Sequence, residues 1–393
     1  MSYKAIYTYA WDLAETGVAA ATADFRRLGL DTVTLAGSYH AGKFLRPHGT
    51  AGKVYFPEDG TVYFNADPAR YGAIKPAANS ILADHDVLRE LTAAGTMAVN
   101  VWLVLLHNSR LGFAHPDSVV RNAFGDPYYY NLCPSAPAAR AYAIGLARDV
   151  TESYPVSGIS MEAPGFTPYS HGYHHEIGLV QLNPWLENQL GLCFCDHCVA
   201  AAEAAGIDAR RLKAQVAADI TAYLDSDLDF PPDMAEAFWR ADLAADGDLR
   251  RYLDFRSGQV TSLVAEIRAA VRADATVAVI PSVARPTGGA WYEGSDLGAL
   301  GRTAGIIEAC FYEPSVARIR ADLFDIRRRL AGTDTRLRGI LRPAFPDLTS
   351  RAAVIEAVAA LAAGGVTDIA FYNWGHLRRA NLDWLGAALG AVA

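Results

Sequence analysis

The run Ala5-Ile6-Tyr7-Thr8-Tyr9-Ala10-Trp11-Asp12 decides between two ways of building an α/β chain. Its apolar and aromatic side chains read as a strand over 5–11. A doubly wound open sheet puts a glycine-rich phosphate turn after its first strand. This strand runs instead into Trp11 and Asp12. A closed barrel needs no such turn.

Seven further runs follow, at 32–40, 97–106, 158–162, 277–282, 306–312, 338–342 and 369–374. Between them lie stretches rich in Ala, Leu and Arg with helical period, the pattern of a parallel sheet covered by helices. Glycines at Gly29, Gly95 and Gly364-Gly365 precede several strands, as where a helix ends in the left-handed conformation. Eight strands with intervening helices predict a (β/α)8 TIM barrel, a single catalytic domain over 1–393.

The spacing is uneven. A loop rich in Gly, Pro and Tyr occupies 42–76, and more than a hundred residues separate strands four and five. The second gap predicts a helical, zinc-bearing insertion at about 163–250, with three or four helices. Its clearest helix runs through Leu249, Tyr252, Leu253, Leu263, Val264, Ile267 and Val271. Pro231-Pro232, within 225–234, breaks two helices.

Hydrophobic residues make up 51% of the 393-residue chain and charged residues 20%, which fits a soluble globular protein. A net charge of -8 with no basic stripe excludes a nucleic-acid partner. No stretch approaches the ~20 apolar residues of a membrane span. Met1-Ser2-Tyr3-Lys4 leads straight into the first strand with no export signal, so a cytoplasmic location is expected. The expected partner is a carbohydrate, and self-association is left open.

The chain has five cysteines, and Cys193, Cys195 and Cys198 form a tight run sixty residues after Cys133. Without an export signal, clustered cysteines favour metal over disulfide. Four thiolates fill a tetrahedral structural zinc site. Cys310 reads as a core residue of strand six. His171, His174 and His175 read as a solvated loop, with metal ligation the alternative.

Active sites of such barrels lie at the C-terminal ends of the strands. The side chains there are Trp11, Asp12, Tyr39, His40, His107, Asn108, Glu162, Tyr312, Glu313, Arg342, Tyr372, Asn373 and Trp374. Carboxylates among rings, amides and imidazoles compose a glycosidase cleft, where one acid protonates the leaving oxygen and another attacks or activates water. In Gly158-Ile159-Ser160-Met161-Glu162, period two puts Gly158, Ser160 and Glu162 on the interior face. Glu162 is therefore the expected general acid/base, and a structural partner such as Arg342 is the alternative. Glu313, sharing parity with Phe311, is the expected second carboxylate, ahead of Asp12, Glu293 and Asp296. Glu308 reads as structural. Arg342 either holds a substrate carboxylate or neutralises Glu162. His40 and His107 bind hydroxyls or tune a carboxylate, and Trp374, ahead of Trp11, is the expected stacking platform.

Asn131-Leu132-Cys133-Pro134-Ser135-Ala136-Pro137, with Glu162 and the Cys193-x-Cys195-x-x-Cys198 run, resembles the bacterial β-galactosidases of glycoside hydrolase family 42 and related barrel hydrolases. The likeness covers about 131–198. It implies zinc held by these four cysteines and an acid/base role for Glu162. Two positions depart from the family. Met161 stands where an Asn precedes the acid/base, and Arg342-Pro343 stands where a nucleophilic Glu ends strand seven. The other readings are a silent carbohydrate-binding barrel, and a metal-dependent sugar lyase or isomerase.

Overall fold

The computed structural model describes residues 3–171, 173 and 176–392. His174 and His175 lie outside the described residues. Eight parallel strands form the barrel: β1 (Lys4–Thr8), β2 (Thr32–Tyr39), β3 (Ala98–Val104), β4 (Gly158–Glu162), β5 (Thr276–Val279), β6 (Gly305–Cys310), β7 (Arg336–Leu341) and β8 (Asp368–Phe371). Each pairs in parallel with its neighbours in sequence. The ring closes through β1, which pairs with β8 at Lys4–Ile369 and with β2 at Ala5–Thr32. No sheet edge of the barrel is left open. Among the described residues, no helix is long and apolar enough to cross a membrane.

The barrel interior carries a polar belt. Glu308 on β6 is fully buried, accepts from the Tyr3 hydroxyl at 2.9 Å and from the Ser160 hydroxyl, and lies 3.8 Å from Arg338. Asn100 on β3 donates to Ser160 at 2.9 Å. A buried carboxylate is tolerated only when paired and hydrogen-bonded in this way. The belt also fixes parity. Ser160 points inward, so Glu162 does too. Glu308 points inward, so Cys310 and Tyr312 follow, and Phe311 and Glu313 face the helices.

Gly158 begins β4 where no side chain fits. A Cβ there would collide with the Thr276 hydroxyl and lie 2.6 Å from the Thr276 carbonyl oxygen on β5. Gly158→Ala is expected to destabilise the protein by about 1–3 kcal/mol, the usual range for overpacking. Urea unfolding reads this directly, and an unchanged midpoint would contradict the close approach of β4 and β5.

The insertion after β4 contains helices Pro184–Leu190, Asp196–Ala204, Ala209–Leu224 and Pro232–Ala245. They enclose a second apolar cluster that includes Trp185, Phe194, Leu212, Ile220, Tyr223 and Trp239. The following helix, Gly247–Ala270, is 24 residues long and serves both cores. Its first turns give Leu249 and Tyr252 to the insertion, and its later turns give Val260, Leu263, Val264 and Ile267 to the barrel.

Candidate active site and cysteine cage

At the C-terminal mouth of the barrel lie two adjoining cavities that share Glu162, Ile280, Val283, Arg285 and His171. The inner one, about 300 Å³, is walled by Tyr7, Tyr39, Trp102, Tyr312 and Tyr372. The outer one, about 630 Å³, opens under the insertion and is bounded by Ser282, Trp291, Tyr292 and Glu293. The rings supply flat apolar faces with polar edges, which suits a hydroxylated ring.

Glu162 ends β4 at the junction of the cavities. Its carboxylate accepts from Trp102 Nε1 at 2.7 Å. The surrounding protein raises its pKa to about 7, the Trp102 bond working the other way. Glu293 lies in the 3-10 turn Thr287–Glu293 after β5 and accepts from the Ser282 hydroxyl. Its pKa is also raised to about 7, by burial and then by the neighbouring Glu162 charge. Both side chains keep partial access to the cleft. Two carboxyls near neutrality, facing one cavity, can exchange protons at ordinary pH.

Aromatic hydroxyls connect the inner wall. Tyr9 donates to the Tyr39 hydroxyl at 3.1 Å and bonds the Tyr372 hydroxyl at 2.8 Å. Arg285 and Arg342 both lie over the Tyr312 ring, at 4.9 and 4.6 Å from its centroid. Arg342 also donates to Asp347 at 2.6 Å. His107 Nδ1 donates to the Tyr130 carbonyl at 2.9 Å, which leaves Nε2 as the acceptor. Burial and nearby His40, 4.6 Å away ring to ring, push its pKa down to about 3, so it stays neutral.

The mouth thus gathers Glu162, Tyr39, His40, His107, Tyr312, Arg342 and Tyr372 on the walls of these cavities or of the groove beside them. The remaining expected site residues lie elsewhere. Glu313 is buried and ion-paired with Arg318 of the next helix, away from the cavity walls. Asp12 pairs with Arg46 at 2.7 Å. Asp296 caps the helix Leu297–Ala304. Asn108 caps a short helix and donates to the Gly60 carbonyl at 3.1 Å. Asn373 is fully buried and binds the Gly375 amide.

Neither expected stacking platform is open. β1 ends at Thr8, so Trp11 falls in the first turn of a helix, stacked between Tyr9 and Tyr55 at 4.2 and 4.7 Å. β8 ends at Phe371, and Trp374 turns out against Phe25 of the helix layer, 5.4 Å away and 3% exposed. Period two does not carry past a strand's end. The cleft residues that the sequence does not single out include Trp102, Arg285 and Ser282. Trp102 was findable, because Asn100, polar within an apolar strand, marks the inward face two residues earlier.

The four cysteines come together as expected. Cys133, Cys193, Cys195 and Cys198 are buried, unpaired by disulfide, and have sulfurs all within 4.8 Å of one another. Cys133 Sγ lies 3.9, 3.5 and 3.5 Å from those of Cys193, Cys195 and Cys198. Tetrahedral Zn–S bonds of ~2.3 Å put sulfurs about 3.8 Å apart, so the cage fits a zinc-sized ion. The Ser135 amide donates to Cys133 Sγ at 3.4 Å, and the Tyr252 hydroxyl binds the Cys193 carbonyl. The cage ties the loop after β3 to the insertion after β4.

No protein-family model matches the chain, and no curated protein matches it in sequence. The resemblance to family 42 therefore rests on the cysteine spacing and Glu162 alone. Among solved structures, the chain is similar to the PgaB (BpsB) glycoside hydrolase domain from Bordetella bronchiseptica, with a TM-score of 0.60, 13% identity and 99% of each chain covered. It is also similar to α-L-fucosidase isoenzyme 2 from Paenibacillus thiaminolyticus, with a TM-score of 0.53 and 14% identity. That match covers the whole of this chain but only 49% of the fucosidase. At such identities the likeness is one of fold, and the fold it shows is the barrel described above.

Proposed function

We propose that this protein is a glycoside hydrolase, with Glu162 as general acid/base and Glu293 as the second carboxylate. The observation that carries this reading is the pair of carboxyls, each raised to about 7, facing one ring-lined cleft at the strand ends. Glu293 takes the role in preference to Glu313 because Glu313 is committed to Arg318 off the cleft. Trp102 holds Glu162 in place, and Ser282 holds Glu293. The two similar structures, a glycoside hydrolase domain and a fucosidase, support the same class. Among the described residues, the only group of three or more ligating side chains that can hold a metal is the cysteine cage, which does not line the cleft. Zinc is proposed for that cage as a structural cross-link between two loops, with no part in bond cleavage.

Interacting carboxyls titrate as a pair, so their apparent pKa values straddle the single-site ones. The kcat/KM of aryl-glycoside hydrolysis should therefore give a bell centred near pH 7. In Glu162→Gln the repulsion on Glu293 is removed, so Glu293 ionises at lower pH and the acid limb shifts down. A flat profile between about pH 5 and pH 9, or full activity in Glu293→Gln, would sink the carboxylate-pair reading.

A further inference from the structure

We propose that the inner cavity is an anion subsite, in which Arg285 and Arg342 hold the carboxylate of an acidic sugar such as a uronic acid. This rests on the glycosidase reading and names its substrate class.

Arg285 comes from the irregular loop after β5, and its side chain reaches the wall shared by both cavities. Its Nε and one terminal nitrogen are fully buried with no hydrogen-bond partner. A guanidinium is always charged and has only donors. Buried donors without an acceptor are costly and rare. Among the described residues, no carboxylate lies within salt-bridge distance of Arg285. Those in its neighbourhood are engaged elsewhere. Both oxygens of Asp322 accept from Thr287, at 2.9 and 2.7 Å, and Glu293 accepts from Ser282.

Arg342 approaches the same ring from β7. Its Nε is held by Asp347, which leaves the rest of the guanidinium fork on the inner cavity wall. The Tyr312 ring thus carries two guanidiniums beside a cavity of about 300 Å³. At about 30 Å³ per water that volume holds roughly ten waters, or one substituted sugar ring. The carboxylate facing this cavity is Glu162, which burial biases toward its neutral form. The inner wall therefore has more fixed positive than negative charge, and lacks one planar acceptor. A carboxylate supplies it, with the fork geometry that arginine matches.

The test is binding, so it does not depend on turnover. Saturation-transfer NMR titrations of the intact protein would compare D-glucuronate and D-galacturonate with their methyl esters and with glucose and galactose. A charge-assisted hydrogen bond contributes about 1.5–3 kcal/mol, so at least one uronate should bind about tenfold or more tighter than its ester. The preference should vanish in Arg285→Gln and partly survive in Arg285→Lys. Acetate, as a bare anion, should compete weakly. Equal binding of acid and ester by the wild-type protein would overturn the proposal, as would a preference unchanged in both Arg285→Gln and Arg342→Gln. The wild-type comparison stands even if a variant fails to fold. A protein that prefers uronates yet hydrolyses no glycoside would instead count against the glycosidase reading alone.

Discussion

Glu162→Gln is expected to lower turnover of a natural glycoside by about 10²- to 10⁴-fold, the usual worth of general acid–base catalysis. The loss should shrink for substrates with good leaving groups, where departure of the aglycone needs little protonation. Glu293→Gln should stay slow with every leaving group if that carboxylate attacks the sugar. The fold should survive the Glu162 change, because Gln is nearly isosteric and can still accept from Trp102 Nε1. A second readout follows from linkage. The Glu162 pKa is raised on folding to about 7, so the folded state binds more protons than the unfolded one between the ordinary carboxyl value and 7. Stability from this group is fully present below that window and lost as pH rises through it. Glu162→Gln should remove that slope and leave the variant at least as stable as the parent near pH 8. A variant with near-parental rates on a natural glycoside would take Glu162 out of the mechanism.

Metal removal should have the largest effect on stability. Purified protein is expected to contain one zinc per chain, bound by Cys133, Cys193, Cys195 and Cys198. Structural zinc in small domains contributes apparent binding free energies of ~10–16 kcal/mol. Cys198→Ser, or stripping the metal with a chelator under mild denaturant, should lower the melting midpoint by roughly 10 °C or more. Four buried thiols left without an ion would also be open to disulfide formation. Elemental analysis that finds no zinc in protein prepared under reducing conditions would refute the assignment.

The barrel was legible because its strands obey simple rules. Each of the eight runs became a strand, with ends shifted by a few residues. The inward face of β4 was legible from the alternation of Gly158, Ser160 and Glu162. The cage was legible because four soft ligands at close spacing admit few other uses. The second carboxylate was harder to see. Glu313 lies three residues past the end of β6, whose parity is set by buried Glu308 rather than by Phe311. Trp11 and Trp374 fall beyond their strands in the same way. Arg285 sits in irregular backbone and Glu293 at the end of a short 3-10 turn, where no long period tells which way a side chain points. Their place emerges only when the loop folds back against β5 and β6.

The helix Gly247–Ala270 crosses from one core to the other without a break. A continuous helix cannot melt at its middle without exposing both cores, so heating should give one cooperative transition for the whole chain. The insertion should then unfold with the barrel rather than as a separate unit. Loss of the metal should reveal the seam that the helix conceals. The turns carrying Leu249 and Tyr252 would loosen first, while those carrying Val260 to Ile267 stay docked. Two steps should then appear in tryptophan fluorescence, the earlier one reporting Trp185 and Trp239.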